Sequence, residues 1–194
     1  MAVVHNKSNV LIAASTENAC KVLAQVLANQ FSRISFASSM TSAQQKIMQG
    51  GVDLLIINTP LPDEFGVQSA INLSRTNPGL SIMLIVKAEN YGQVVYQTRG
   101  MGIFVITKPL KKDLFYEGVC MLDAMHLTIQ NYAAENARLK RRLGDMGLVT
   151  RAKCLLIEKR HMSEEDAHRY IEKEAMDYSL TKAEVARNII DSMT

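Results

Sequence analysis

Up to about residue 120, short apolar runs alternate with amphipathic stretches. Val10–Ala14 reads as a strand, and Asn18–Ala28 as a helix turning Val22, Leu23, Val26 and Leu27 inward. Arg33–Ala37 reads as a second strand. Thr41–Gln49 reads as a helix stopped by Gly50-Gly51. Asp53–Asn58 is a third strand, Pro60 and Pro62 break the chain, and Gly66–Ser74 resumes helix. Leu80–Val86 is a strand, Gln93–Arg99 a helix and Ile103–Ile106 a strand, and a long helix starts after Pro109. Repeated strand–helix order implies right-handed crossovers and a parallel sheet. The continuous apolar runs Leu54–Ile57 and Ile82–Val86 fit strands buried on both faces. The expected fold is α/β, a doubly wound, five-stranded parallel sheet. Ligands and chemistry sit at the C-terminal ends of such strands.

From Lys111 onward no proline occurs. Leu122, Met125, Ile129, Tyr132, Asn136, Leu139, Leu143 and Met146 follow one another at alternating spacings of three and four. That is the a/d seam of a heptad repeat, and it predicts dimerisation through a coiled coil. Asn136 takes an a position, where a buried amide pairs with its twin and selects a parallel two-stranded register. Glu135 and Arg142 flank the seam. Gly144 and Gly147 weaken its end by about 1 kcal/mol each and mark a candidate hinge.

Beyond it lie three helical segments. Leu148–Lys159 carries Ala152, Leu155 and Leu156 on one side. Ser163 caps a second helix that runs to about Tyr178, its apolar face formed by Ala167, Tyr170, Ile171, Ala175 and Tyr178. Thr181-Lys-Ala-Glu184 is a capping box that opens a third, with Val185, Ala186, Ile189 and Ile190 inward. The expected domains are a sheet domain over 8–124, a coiled-coil linker over 125–147 and a three-helix module over 148–194. So small a module needs support from the preceding helix or a dimer mate.

Composition trims this picture. The chain has 194 residues, 47% of them hydrophobic and 21% charged, enough to bury a core. Its apolar runs are strand-sized, not membrane-sized, and residues 1–7 do not read as a signal peptide. Three widely spaced cysteines argue against a disulfide framework or a zinc site and for a reducing cytoplasm. The net charge is only +3, but residues 136–160 hold eight basic residues against two acidic ones. Such a band suits a polyanion partner, or simply a solvated helix face. No nucleophile–base pair, phosphate loop or metal cluster is visible, so neither an enzyme nor a cofactor is expected.

Asp53-Leu-Leu-Ile-Ile-Asn58-Thr-Pro-Leu-Pro-Asp-Glu-Phe-Gly66 and Thr107-Lys108-Pro109 resemble the receiver domain of bacterial response regulators, over roughly residues 8–124. The resemblance implies two metal-binding acids after the first strand, a phosphoacceptor Asp ending the third, a hydroxyl residue ending the fourth, and a Lys-Pro after the fifth. Here Ala14 and Ser15 replace the acids, Asn58 the phosphoacceptor and Lys87 the hydroxyl residue, and only Lys108 with its proline survives. Neutral carbonyl or hydroxyl oxygens do not replace two carboxylates for a hard divalent ion, and a carboxamide is a poor nucleophile toward a phosphoryl donor. A pseudo-receiver with a degenerate pocket is therefore expected. Asp63 and Glu64 remain as loop acids able to hold an ion only loosely.

Arg151-Ala-Lys-Cys-Leu-Leu-Ile157, Met162 through Asp177, and Glu184-Val-Ala-Arg-Asn-Ile-Ile190 resemble the ANTAR domain, the three-helix RNA-binding module of bacterial transcription antiterminators. The resemblance implies a cytoplasmic dimer that binds paired hairpins in a nascent leader transcript and prevents a terminator from forming. Arg151, Lys153, Lys159 and Arg160 of the first helix, with His168, Arg169 and Lys173 of the second, are the candidate RNA contacts. Ion pairing with helix acids, such as Arg169 with Glu165 or Lys173 with Asp177, is the plainer role for those cations. A DNA-binding helix-turn-helix and a protein-interaction adaptor stay open. So does the signal, whether a regulatory protein or a small ligand at the receiver-like domain.

Overall fold

A computed structural model of the chain describes residues 8–28, 30, 31 and 33–193. The signal-peptide reading of residues 1–7 lies outside them, as does Thr194. The chain divides into two compact units, Met1–Gln130 and Asn131–Thr194.

The first unit is built from β1 (Asn9–Ala14), α1 (Glu17–Leu27), β2 (Arg33–Ala37), α2 (Met40–Met48), β3 (Leu54–Asn58), α3 (Val67–Thr76), β4 (Ser81–Lys87), α4 (Tyr91–Thr98) and β5 (Ile103–Lys108). The start of α5 (Lys112–Arg160) completes it. All strand pairs are parallel, in the order β2-β1-β3-β4-β5. The period of two along each strand splits the core into two layers. Leu11, Ala13, Leu55, Ile57, Leu84 and Val86 pack with Ala43, Ala70, Ile71 and Val94 of α2, α3 and α4. Val10, Ile12, Ala14, Leu54, Ile56, Met83 and Ile85 pack with Cys20, Leu23 and Leu27 of α1 and Phe115, Val119 and Leu122 of α5.

Three local expectations need correction. Val22 is exposed, and Cys20 fills the inward position instead. The reason is phase: the buried stripe of α1 runs through Cys20, Leu23 and Leu27, at spacings of three and four. Leu122, assigned to the dimer seam, is 5% exposed and belongs to the core of its own unit. It continues the Phe115–Val119 stripe, and a residue already enclosed by its own domain has no surface left for a partner. Tyr178 is exposed because α6 (Glu164–Asp177) ends one residue earlier, so the ring leaves the apolar face.

The second unit holds the rest of α5, then α6 and α7 (Lys182–Met193). The segment expected at Leu148–Lys159 is the last part of α5, which is helical through both Gly144 and Gly147. Ala152, Leu156, Ala167, Ile171, Ala175, Val185, Ala186 and Ile189 form its core. Both capping motifs form. Asp166 N donates to Ser163 Oγ at 3.1 Å. At α7, Glu184 N donates to Thr181 Oγ1 at 3.2 Å, while Thr181 N donates back to the Glu184 carboxylate at 2.8 Å. No helix among the described residues is long and apolar enough to cross a membrane.

Candidate nucleic-acid interface

Two regions carry the sequence-derived candidates. At the strand ends of the first unit, register sets Asn58 between Ala14 of β1 and Ile85 of β4, and Lys87 opposite Lys108. Ala14 is fully buried in the core, whereas Ser15 is exposed. Lys108 Nζ donates to the Thr59 carbonyl at 2.5 Å. Burial, and then the charge of Lys87, hold its pKa below the ordinary lysine value. Lys87 lies 3.6 Å from the exposed Glu89 carboxylate. Thr59, which the sequence reading passed over, is 1% exposed, and its Oγ1 donates to the Ile85 carbonyl at 3.0 Å.

Asp63 is not a loose ion ligand. Its carboxylate accepts from Met40 N and Thr41 N, each at 2.9 Å, and from Thr41 Oγ1 at 3.0 Å. The β3–α3 loop is thereby fastened to the start of α2, where a helix presents unpaired N–H groups. Those backbone donors lower the Asp63 pKa to about 2. Gly66 closes the loop at φ +90°, where an added Cβ would lie 3.1 Å from Ile57 Cγ2. Both the backbone angle and the space therefore favour glycine there. Among the described residues, no group of three or more His, Cys, Asp or Glu side chains is placed to hold a metal ion.

Along α5, Met125, Ile129, Tyr132, Leu139, Leu143 and Met146 are all exposed, from 46% at Leu139 to 69% at Leu143. Asn136 is exposed with them. Glu135 accepts from Arg138 of its own helix at 2.9 Å.

In the second unit, most of the candidate RNA contacts already have partners. Lys153, whose side chain is 21% exposed, pairs with Glu164 at 3.0 Å. Arg169 pairs with Glu165, as the i,i+4 reading anticipates. His168 lies 3.2 Å from Glu172, which Lys182 also contacts at 2.5 Å. The hydrogen bond and charge of Lys182, together with His168, lower the Glu172 pKa. Arg160 stacks over the Tyr170 ring at 5.4 Å, and Lys159 donates to the Met193 carbonyl. Tyr170 packs against the module core. Arg151 and Lys173 form no ion pair among the described residues.

A cleft of about 420 Å³ opens between α5, the first half of α6 and the start of α7. Arg142, Met146, Val149 and Lys153 line it from α5, His168 from α6, and Thr181, Lys182 and Ala183 from the capped end of α7. The sequence reading named Lys153 and His168 but missed Arg142, Val149, Thr181 and Lys182 as a group. The spacing of residues 142, 146, 149 and 153 places them on one helix face, so the α5 half was detectable. The α6 and α7 contributions arise only from packing.

Comparison with known proteins gives these sites a context. The ANTAR domain family matches residues 137–190, starting inside the stretch whose heptads read as linker. The transcriptional regulatory protein PdtaR of Mycobacterium tuberculosis is 26% identical over 142 residues, covering 73% of this chain and 68% of the relative. The signal receiver domain of an HD domain-containing protein from Pseudomonas fluorescens Pf-5 superimposes with a TM-score of 0.61 at 20% identity. That match covers 68% of this chain and 97% of the other. A receiver domain of a response regulator from Bacteroides fragilis gives 0.54 at 14% identity, covering 60% and 97%. At these identities the structural matches establish the receiver fold. Residues 137–190 thus match the ANTAR domain, and they follow a domain of receiver fold.

Proposed function

We propose that this protein is a dimeric transcription antitermination regulator of the bacterial cytoplasm. In this reading its ANTAR module binds paired hairpins in a nascent leader RNA and keeps a terminator from forming. The observation that carries this is the ANTAR match over residues 137–190, which contains the basic stretch of α5 and the candidate contacts Arg151, Lys153, Lys159, Arg160, His168, Arg169 and Lys173. Exposed helix cations hold phosphates electrostatically, and unpaired loop bases supply the sequence readout.

The dimer seam is Met125, Ile129, Tyr132, Asn136, Leu139 and Leu143, a row of large exposed side chains at heptad spacing. Leu122 is withdrawn from it, and Met146 stands at its edge as a wall of the α5–α6–α7 cleft. The receiver-like domain works without phosphorylation. Asn58 stands at the acceptor position, Ala14 lies within the core, and Lys108 is engaged by the Thr59 carbonyl. A partner protein or small ligand takes the place of the phosphoryl signal.

The test is binding of the full chain to a tandem-hairpin RNA and to duplex DNA of equal length, over a salt series, with mass from light scattering. Preference for RNA that weakens with salt, in a dimer, supports the reading. Equal binding to both, or to neither, overturns it. The double variant Leu139→Glu/Leu143→Glu is expected to give a monomer, and acetyl phosphate is expected to leave RNA affinity unchanged.

A further inference from the structure

Within the proposed RNA-binding module, the geometry points to one specific site: the α5–α6–α7 cleft takes a single unpaired base of the RNA loop. The flanking phosphate is held by Arg142, Lys153 and Lys182. The inference rests on the RNA-binding reading and goes beyond it, because it assigns a pocket where that reading has only a basic surface.

The cleft has the size and lining such a ligand needs. At about 420 Å³ it falls within the range of small-ligand sites. Met146, Val149 and Ala183 offer apolar surface for a ring face, and Thr150, Thr181 and His168 offer polar groups for its edge. Three cationic side chains line it against one acid, Asp145. Lys153 is largely buried along its stem, so its ammonium is positioned before any ligand arrives.

The carboxylates that pair with these cations stand on the outside. Glu164, 78% exposed, holds Lys153, and Glu172 holds Lys182 and lies beside His168. Ion pairs to exposed carboxylates are weak, so an RNA phosphate can displace them. The capping box occupies donors at the start of α7, which leaves the side-chain cations as the main phosphate contacts.

The other cleft of the module suits RNA less well. Arg160, Tyr170, Glu174, Tyr178 and Asn188 line it, but Arg160 already covers the Tyr170 ring and Glu174 opposes its charge.

Hairpins with a common stem and randomised loops would be selected on the full chain. The best binder would then be scanned with one abasic residue at a time. One abasic position is expected to weaken binding about tenfold or more. Thr150→Trp, at an exposed helical position on the cleft wall, is expected to cause a similar loss, with no further loss from that abasic RNA. Glu164→Gln is expected to tighten binding a few-fold by removing the competitor for Lys153. If the selected hairpin binds but tolerates every abasic substitution and Thr150→Trp, the pocket is wrong while RNA recognition stands. Unchanged or weakened binding by Glu164→Gln would remove the phosphate from Lys153. Loss with Tyr178→Ala but not Thr150→Trp would move the base to the other cleft. If selection returns no hairpin, the pocket and the RNA reading fall together.

Discussion

Lys108, at the strand ends of the receiver-like domain, and Lys153, in the ANTAR module, show two fates of the same side chain. Lys108 donates to a main-chain carbonyl, is partly desolvated, and has its pKa lowered by burial and by Lys87. Lys153 is also largely covered, but its partner is an exposed carboxylate. Main-chain contacts of the first kind are part of the fold, whereas an ion pair at a solvated carboxylate exchanges readily with another anion. The lesson is that basic residues cannot be ranked as binding groups by their number or spacing. What decides is whether the present partner is part of the backbone or a side chain that water can replace.

The two units differ as sharply in their cores, and that is the easiest contrast to break. The first unit packs two layers onto a sheet, whereas the second relies on one small cluster. Leu156→Ala removes a fully buried side chain from that cluster, at a cost of about 2–5 kcal/mol. Far-ultraviolet circular dichroism against temperature is expected to show early loss of part of the helix signal, with the sheet domain still melting later. A single cooperative transition would mean that the units share their stability.

A smaller effect sharpens the lysine comparison. Lys153→Ala is expected to weaken hairpin binding uniformly across loop sequences and to reduce the salt slope by about 1, and Lys108→Ala to leave binding unchanged while modestly lowering the melting temperature. Equal losses from both would erase the distinction drawn between them.

The smallest effect concerns the loop between β3 and α3. The folded-state pKa of Asp63, about 2, lies below its ordinary value of 3.8. Its contribution is therefore fully present above about pH 4 and is lost as pH falls through 4 toward 2. Asp63→Asn is expected to flatten that part of the stability–pH curve measured by urea denaturation. A curve with the same slope as the unaltered chain would show that the carboxylate contributes nothing there.

Much of the architecture was readable in the residues. Continuous apolar runs such as Leu54–Ile57 and Ile82–Val86 require a strand buried on both faces. Ser163 and Thr181-Lys-Ala-Glu184 announce helix starts through hydrogen bonds that need only local spacing. The candidate site was readable only in part. Heptad spacing cannot tell an apolar residue facing a partner from one facing its own domain, which is why Leu122 read as seam although it is core. Nor can it show that Glu164 reaches Lys153 across a turn, or that Lys182 and Thr181 face Arg142.

By itself, then, the sequence determined the parallel sheet, the capped helix starts and the residue identities Ala14, Ser15, Asn58 and Lys87 at the strand ends. These follow from periodicities, caps and residue identities that act within a few residues of one another. Only the tertiary structure decided where Leu122 is enclosed, what Asp63 ties down, which lysine is engaged by the backbone and which cleft gathers the cations. Those outcomes depend on distances between segments far apart in the chain, and close packing sets such distances only once the cores have formed.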